Sequence, residues 1–218
     1  IKNQYEKAAE AFSQAVKINN ESLEIHFVLG SLYRRTGQLD KAINLHMDLL
    51  ETRELSRKQQ ESVKAELALD YFKAGLYDRS EELLLDLNKD SYHQFSLNTL
   101  LDIYSKEREW NKAITTAIKL EKISGVSFRE NISHFYCEIA VVYILEKNNK
   151  EANESLRKAL NEYKNCARAN IILGDICESE EKFEEAIFYW KKVEYQQPEY
   201  LGLVASKIFN TYHRLNMV

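Results

Sequence analysis

The chain has 218 residues, 44% hydrophobic and 29% charged, which supplies enough apolar side chain for a continuous core. Thirty basic against thirty-four acidic residues leave a net charge of −4, without the basic excess that a phosphate-backbone binder needs, so nucleic acid is excluded as the expected partner. One proline and six glycines among abundant Ala, Leu, Glu and Lys exclude a turn-rich β protein and point to an all-α chain.

The helices come in a repeating order. Residues 1–22 contain YEKAAEAFSQAV, read as the second helix of a half repeat. Residues 23–56 pair HFVLGSLYRRTGQ with LDKAINLHMDLL, and residues 61–93 pair KAELALDYFKAG with YDRSEELLLDL. LNTLLDIYSKER and WNKAITTAIKL make a pair over 94–127, followed by YCEIAVVYILEK with NKEANESLRKAL over 133–166. NIILGDICESEE with FEEAIFYWKKV fills 167–199, and residues 200–218 supply the first helix of another half repeat. Aligned on the small residues Ala8, Ala42, Ser80, Ala113, Ala152 and Ala186, the copies are offset by 34, 38, 33, 39 and 34 residues. The period is 34, with two insertions of four or five.

The punctuation fits this register. Gly30 and Gly174 fall where the two helices of a pair approach closely, Gly37 and Gly75 in the turn between them, and Gly125 in the longer insertion ISGVSFRENIS. Pro198 stands where a second helix must end, and His93 is expected near a loop. Tyrosines at 33, 71, 104, 143 and 212 recur at one position, the pattern of core rather than of an aromatic ligand box.

His26, Leu29, Gly30, Tyr33, Ala42 and His46 follow the tetratricopeptide-repeat signature, with looser copies after it. The chain therefore resembles that repeat class: a right-handed α-solenoid of helix-turn-helix pairs, five full and two half repeats in a single domain. Both ends read as cut. Phe12 and Val16 at one end, and Ile208, Phe209 and Tyr212 at the other, lack neighbours, so the ends are expected to continue into further chain or to pair as a homodimer.

Chemistry is sparse. The sequence has no Gly-rich phosphate loop, no H-E-x-x-H, no G-x-S-x-G and no paired-cysteine zinc spacing, so no catalytic residue, cofactor or metal ligand is expected in this segment. His26 and His46 occupy packing positions. The stretch ISHFYCEIA puts His134, Cys137 and Glu138 on shared helical spacing, which by itself fits a nucleophile with its base, half a metal site or plain scaffold. Three cysteines without a CxxC pair suit a reducing compartment, and no apolar run nears the roughly 18 residues that span a bilayer, so no membrane contact is expected of this segment.

A stack of helical pairs binds protein segments on the surface lined by its first helices. The expected groove residues are Phe27, Ser31, Arg34 and Arg35, then Ala65, Leu69, Phe72 and Lys73, then Asn98, Asp102 and Lys106. They continue with His134, Cys137, Val141 and Ile144, then Arg168, Ile171 and Asp175. Phe27 and Ser31 stand where chaperone-binding repeats carry Lys and Asn, which disfavours that kind of clamp.

The stretches EIHFVLGSLYRRTGQLDKAINLHMDLL, LALDYFKAGLYDRSEELL, REWNKAI and SHFYCEIA, in this order, resemble the LapB (YciM) family of lipopolysaccharide assembly proteins of Gram-negative bacteria. The resemblance implies a non-catalytic adaptor on the cytoplasmic face of the inner membrane. It would promote degradation of the deacetylase LpxC by the membrane protease FtsH. The resemblance also implies an N-terminal membrane anchor and a C-terminal rubredoxin-like module holding zinc or iron, both outside these residues. A generic repeat scaffold for another envelope or secretion complex stays open as the alternative.

Overall fold

The computed structural model describes residues 2–18, 22–52, 54–87 and 89–215. Its helices are α1 (Lys2–Ile18), α2 (Leu23–Thr36), α3 (Leu39–Thr52), α4 (Arg57–Ala74), α5 (Tyr77–Asp86) and α6 (Lys89–Lys106). They continue as α7 (Trp110–Ser124), α8 (Arg129–Leu145), α9 (Asn149–Glu162), α10 (Ala167–Ser179), α11 (Phe183–Gln196), a 3-10 turn at Pro198–Tyr200, and α12 (Leu201–Arg214). No strand occurs among the described residues.

The chain divides into two compact units, Ile1–Lys106 and Glu107–Val218, so the repeat read at 94–127 has one helix in each. In the first unit each helix packs on the next, and α2, α4 and α6 also touch in series. The second unit repeats the pattern, with α8 against both α9 and α10, and α11 against α10 and α12. Both are stacks of helix pairs whose first helices are neighbours.

Local sequence explains the boundaries. Ser22 caps α2 by accepting the Ile25 N–H, and Ser56 with Gln59 forms a capping box on α4, satisfying N–H groups that a helix start leaves open. The turn inside each pair places one residue in the left-handed region, always five positions before the small residue of the next helix. These are Gly37 (φ 81), Gly75 (φ 76), Arg108 (φ 59), Lys147 (φ 60) and Glu181 (φ 61). Glycine adopts this conformation freely; the three charged residues adopt it against the steric preference of any side chain with a Cβ.

The small residues do what the periodicity asks of them. Ala42, Ser80, Ala113, Ala152 and Ala186 are wholly buried, and the Ser80 hydroxyl donates to the Ala68 carbonyl at 2.8 Å. In α1 the buried residue is Ala9, one position past the Ala8 of the alignment. The insertions are extra helix rather than loop: α4 has 18 residues and α8 has 17, against 14 in α2. Four residues are close to one 3.6-residue turn, so the added length preserves the buried face. His93, expected near a loop, lies inside α6, because α5 ends early at Asp86 and α6 already starts at Lys89.

Candidate protein-binding surface

Beneath the first helices lies a slot built twice. A Cβ on Gly30 would collide with the His46 imidazole, and one on Gly174 with the Trp190 indole. Each glycine precedes the small residue of its repeat by twelve positions, and each ring follows that residue by four. One glycine per pair thus lets a large ring from the second helix enter against the first helix's backbone.

The rings are tied to the surface differently. His46 Nδ1 lies 2.5 Å from Asp70 Oδ2, and the Arg34 guanidinium donates to Asp70 Oδ1 at 2.6 Å and to Glu66 Oε2 at 2.5 Å. Asp70 is wholly buried and the Arg34 side chain is 13% exposed. Burial alone would lower the Arg34 pKa; its hydrogen bonds to Asp70 and Glu66 outweigh that and raise it. In the second unit Trp190 Nε1 donates to Asp175 Oδ1 at 3.0 Å, and Lys207 Nζ donates to the same oxygen at 2.5 Å.

Three expected groove residues are therefore reassigned. Arg34 is spent on Glu66 and Asp70, bridging α2 to α4, and offers no free guanidinium to a partner. Ala65 is buried in α4. Cys137 is wholly buried in the core formed by α8, α9 and α10, with Ala140, Leu156 and Leu173. The reason is shared: a first helix packs on its own second helix and on the next first helix, so its buried arc is wider than one packing partner gives. The Cys137 thiol is raised above the ordinary thiol range by its hydrogen bond to Cys166 and by burial. That removes it as an activated nucleophile.

The others lie at or near the surface. Lys73 Nζ is 5.5 Å and Lys106 Nζ 6.0 Å from the centre of the Phe72 ring, and Tyr77 packs on that ring at 5.9 Å. Neither lysine has a carboxylate partner among the described residues. Asn98 and Asp102 are exposed on α6, and Leu69 is half-buried on α4. Phe27 is half-buried against Leu23, Leu49 and Val63, while exposed Arg35 covers the Tyr5 ring at 5.5 Å. In the second unit His134 Nε2 is 3.5 Å from Glu138, which also accepts from Arg168 at 2.5 Å, and Val141 is half-buried. His134 and Glu138 are thus outside while Cys137 is inside. The ion pairs between first helices, Arg34–Glu66, Arg34–Asp70, Glu138–Arg168, Asp175–Lys207 and Glu178–Arg214, join residues 30 to 36 apart, a spacing close to the repeat that the sequence carries but one helix face alone does not show.

Models of the TPR repeat match residues 1–37, and models of the tetratricopeptide repeat match 25–60, 133–166 and 167–200. Lipopolysaccharide assembly protein B of Escherichia coli K12 is 32% identical over 216 residues, covering 99% of this chain. The chain belongs to the tetratricopeptide-repeat proteins and is similar over its whole length to lipopolysaccharide assembly protein B. The Haemophilus influenzae protein of the same name is 30% identical over the whole chain. This chain spans 56–57% of the length of those relatives. Among solved structures, YrrB, described as a TPR protein with an unusual peptide-binding site, aligns over 91% of this chain and 98% of its own. Its TM-score is 0.51 at 16% identity. MamA aligns over 82% and 93% with TM-score 0.50 at 20% identity. Both show the all-α tetratricopeptide fold. Among the described residues no cluster of three or more His, Cys, Asp or Glu could hold a metal, and no helix is long and apolar enough to cross a membrane.

Proposed function

We propose that this chain is a non-catalytic adaptor segment of lipopolysaccharide assembly. It takes a protein partner on the first-helix surface of its first unit. As the family resemblance implies, the partner is the deacetylase LpxC, presented to the membrane protease FtsH at the cytoplasmic face of the inner membrane. The observation that carries the reading is the Phe72, Lys73 and Lys106 cluster. Two ammonium groups share one aromatic ring without an internal carboxylate, whereas Arg34 beside them is consumed within the fold. A partner carboxylate placed between them gains two charge-assisted hydrogen bonds, and the ring and lysine stems accept apolar contact from its neighbours.

No chemistry is required of the repeats. Holding a substrate beside its protease raises the local concentration, to about the millimolar range for short tethers. The test is retention of purified LpxC and of the FtsH cytoplasmic domain on the immobilised chain. Retention of both is expected; retention of neither overturns the adaptor reading.

Leu203 and Phe209, 60% and 59% exposed on α12, favour in addition a homodimer through this helix. Light scattering should give twice the chain mass and fall to the monomer value in Leu203→Ser/Phe209→Ser. A monomeric parent chain contradicts it.

A further inference from the structure

Cys137 and Cys166 are 29 residues apart in sequence, yet their sulfurs lie 3.8 Å from each other in the core of the second unit. Cys137 is on α8, while Cys166 is the residue before α10, where the chain leaves α9. Both cysteines therefore belong to the repeat read at 133–166, Cys137 in its first helix and Cys166 at its last position, against the start of the next repeat. They are not equivalent. Cys137 has no exposed surface, whereas Cys166 retains 8% and follows the exposed residues Lys164 and Asn165. The third cysteine, Cys177, lies in a different buried cluster with Ala186, Trp190 and Val193.

We propose that Cys137 and Cys166 are a peroxide-responsive thiol pair whose oxidation closes a disulfide across α8 and α10. Geometry carries the inference: two thiols in contact, one on α8 and one at the N-cap of α10, need only a small approach to bond, and their backbones are already held by the packing around them. Cys166 is the attacking sulfur. It retains exposed surface where Cys137 has none, and its hydrogen bonds with Cys137 and with the Ala169 N–H in the first turn of α10 lower its pKa despite burial. Its thiolate attacks one oxygen of hydrogen peroxide; the O–O bond breaks, a sulfenic acid forms, and the departing hydroxide takes up a proton to give water. The Cys137 sulfur then attacks the sulfenic sulfur, forming S–S and breaking S–O; the Cys137 proton leaves with the displaced hydroxide as a second water. Two thiols and one peroxide give one disulfide and two waters, with two electrons passing from sulfur to oxygen. Thiol reductants reverse the step, as suits a transient pair in a reducing compartment. The bond would pin α8 to α10, beneath the Glu138–Arg168 ion pair that already links them.

The test treats the whole folded chain with hydrogen peroxide and follows intact mass, followed by peptide mapping. The expected product is lighter by about 2 Da, links the peptides carrying Cys137 and Cys166, reverts with dithiothreitol, and melts several degrees higher with slower hydrogen exchange in α8 and α10. Cys177→Ala should give the same product. Cys137→Ala, checked by circular dichroism, should instead gain about 16 Da at Cys166, the sulfenic acid caught without its partner. The wild-type chain decides the matter without relying on a variant. Addition of oxygen at Cys166 without the 2 Da loss, a link to Cys177, or no reaction under conditions that oxidise the urea-unfolded chain would each overturn the proposal.

Discussion

The two glycine slots solve one packing problem with opposite electrostatics. In the first unit the ring is His46, its carboxylate Asp70 comes from the following first helix, and the cation Arg34 comes from the ring's own first helix; all three are largely buried. In the second unit the ring is Trp190, its carboxylate Asp175 comes from its own first helix, and its cation Lys207 comes from the following one. Asp175 and Lys207 remain 41% and 36% exposed. A repeat position therefore fixes the volume of a ring but not its polarity. Once the ring is polar, the chain must bury the ring's charge partners with it.

That difference can be broken from either side. The largest effect is expected for Asp70→Ala, which leaves buried His46 without its carboxylate and Arg34 with Glu66 alone: a loss of about 3 kcal/mol. It should be read as faster hydrogen exchange confined to α2–α4. Gly30→Ala and Gly174→Ala overpack their slots and should each cost about 1–3 kcal/mol, each seen in the exchange of its own unit only. Equal effects in both units from one substitution would deny that the slots are independent. Lys207→Met removes a partly exposed pair from the second slot and should cost under about 1 kcal/mol, shrinking further in high salt, in contrast to Asp70→Ala. The smallest change is a gain. Arg108→Gly, Lys147→Gly and Glu181→Gly place glycine at left-handed turns that already use it at positions 37 and 75, and each should raise the denaturation midpoint by up to about 1 kcal/mol in stability.

Much of this was legible in the sequence, and the exceptions have a common cause. Period, small positions and the glycine approaches at 30 and 174 follow from the spacing of side chains along one helix face, which a single chain displays directly. Cys137 and Arg34 were misplaced because the inner edge of a first helix is decided by the next first helix, about one repeat away. That neighbour buries Cys137 against Cys166 and draws Arg34 onto Glu66 and Asp70. The insertions were expected in part as loop, since sequence spacing alone does not say whether four extra residues become a turn of helix. The exposure of Lys73 and Lys106 follows from their places on their helices, but that they share the Phe72 ring was not legible in the sequence.

The adaptor reading rests on that ring and its two lysines. Its most direct test is the affinity of the chain for purified LpxC by titration calorimetry, before and after Lys73→Ala/Lys106→Ala. Both lysine ammonium groups lie away from the core, so the fold should persist and circular dichroism should be unchanged. The expected result is binding weakened about tenfold or more, as loss of two charge-assisted contacts implies, with a smaller salt dependence than the parent chain. An unchanged affinity with an unchanged salt dependence would contradict the assignment of this surface.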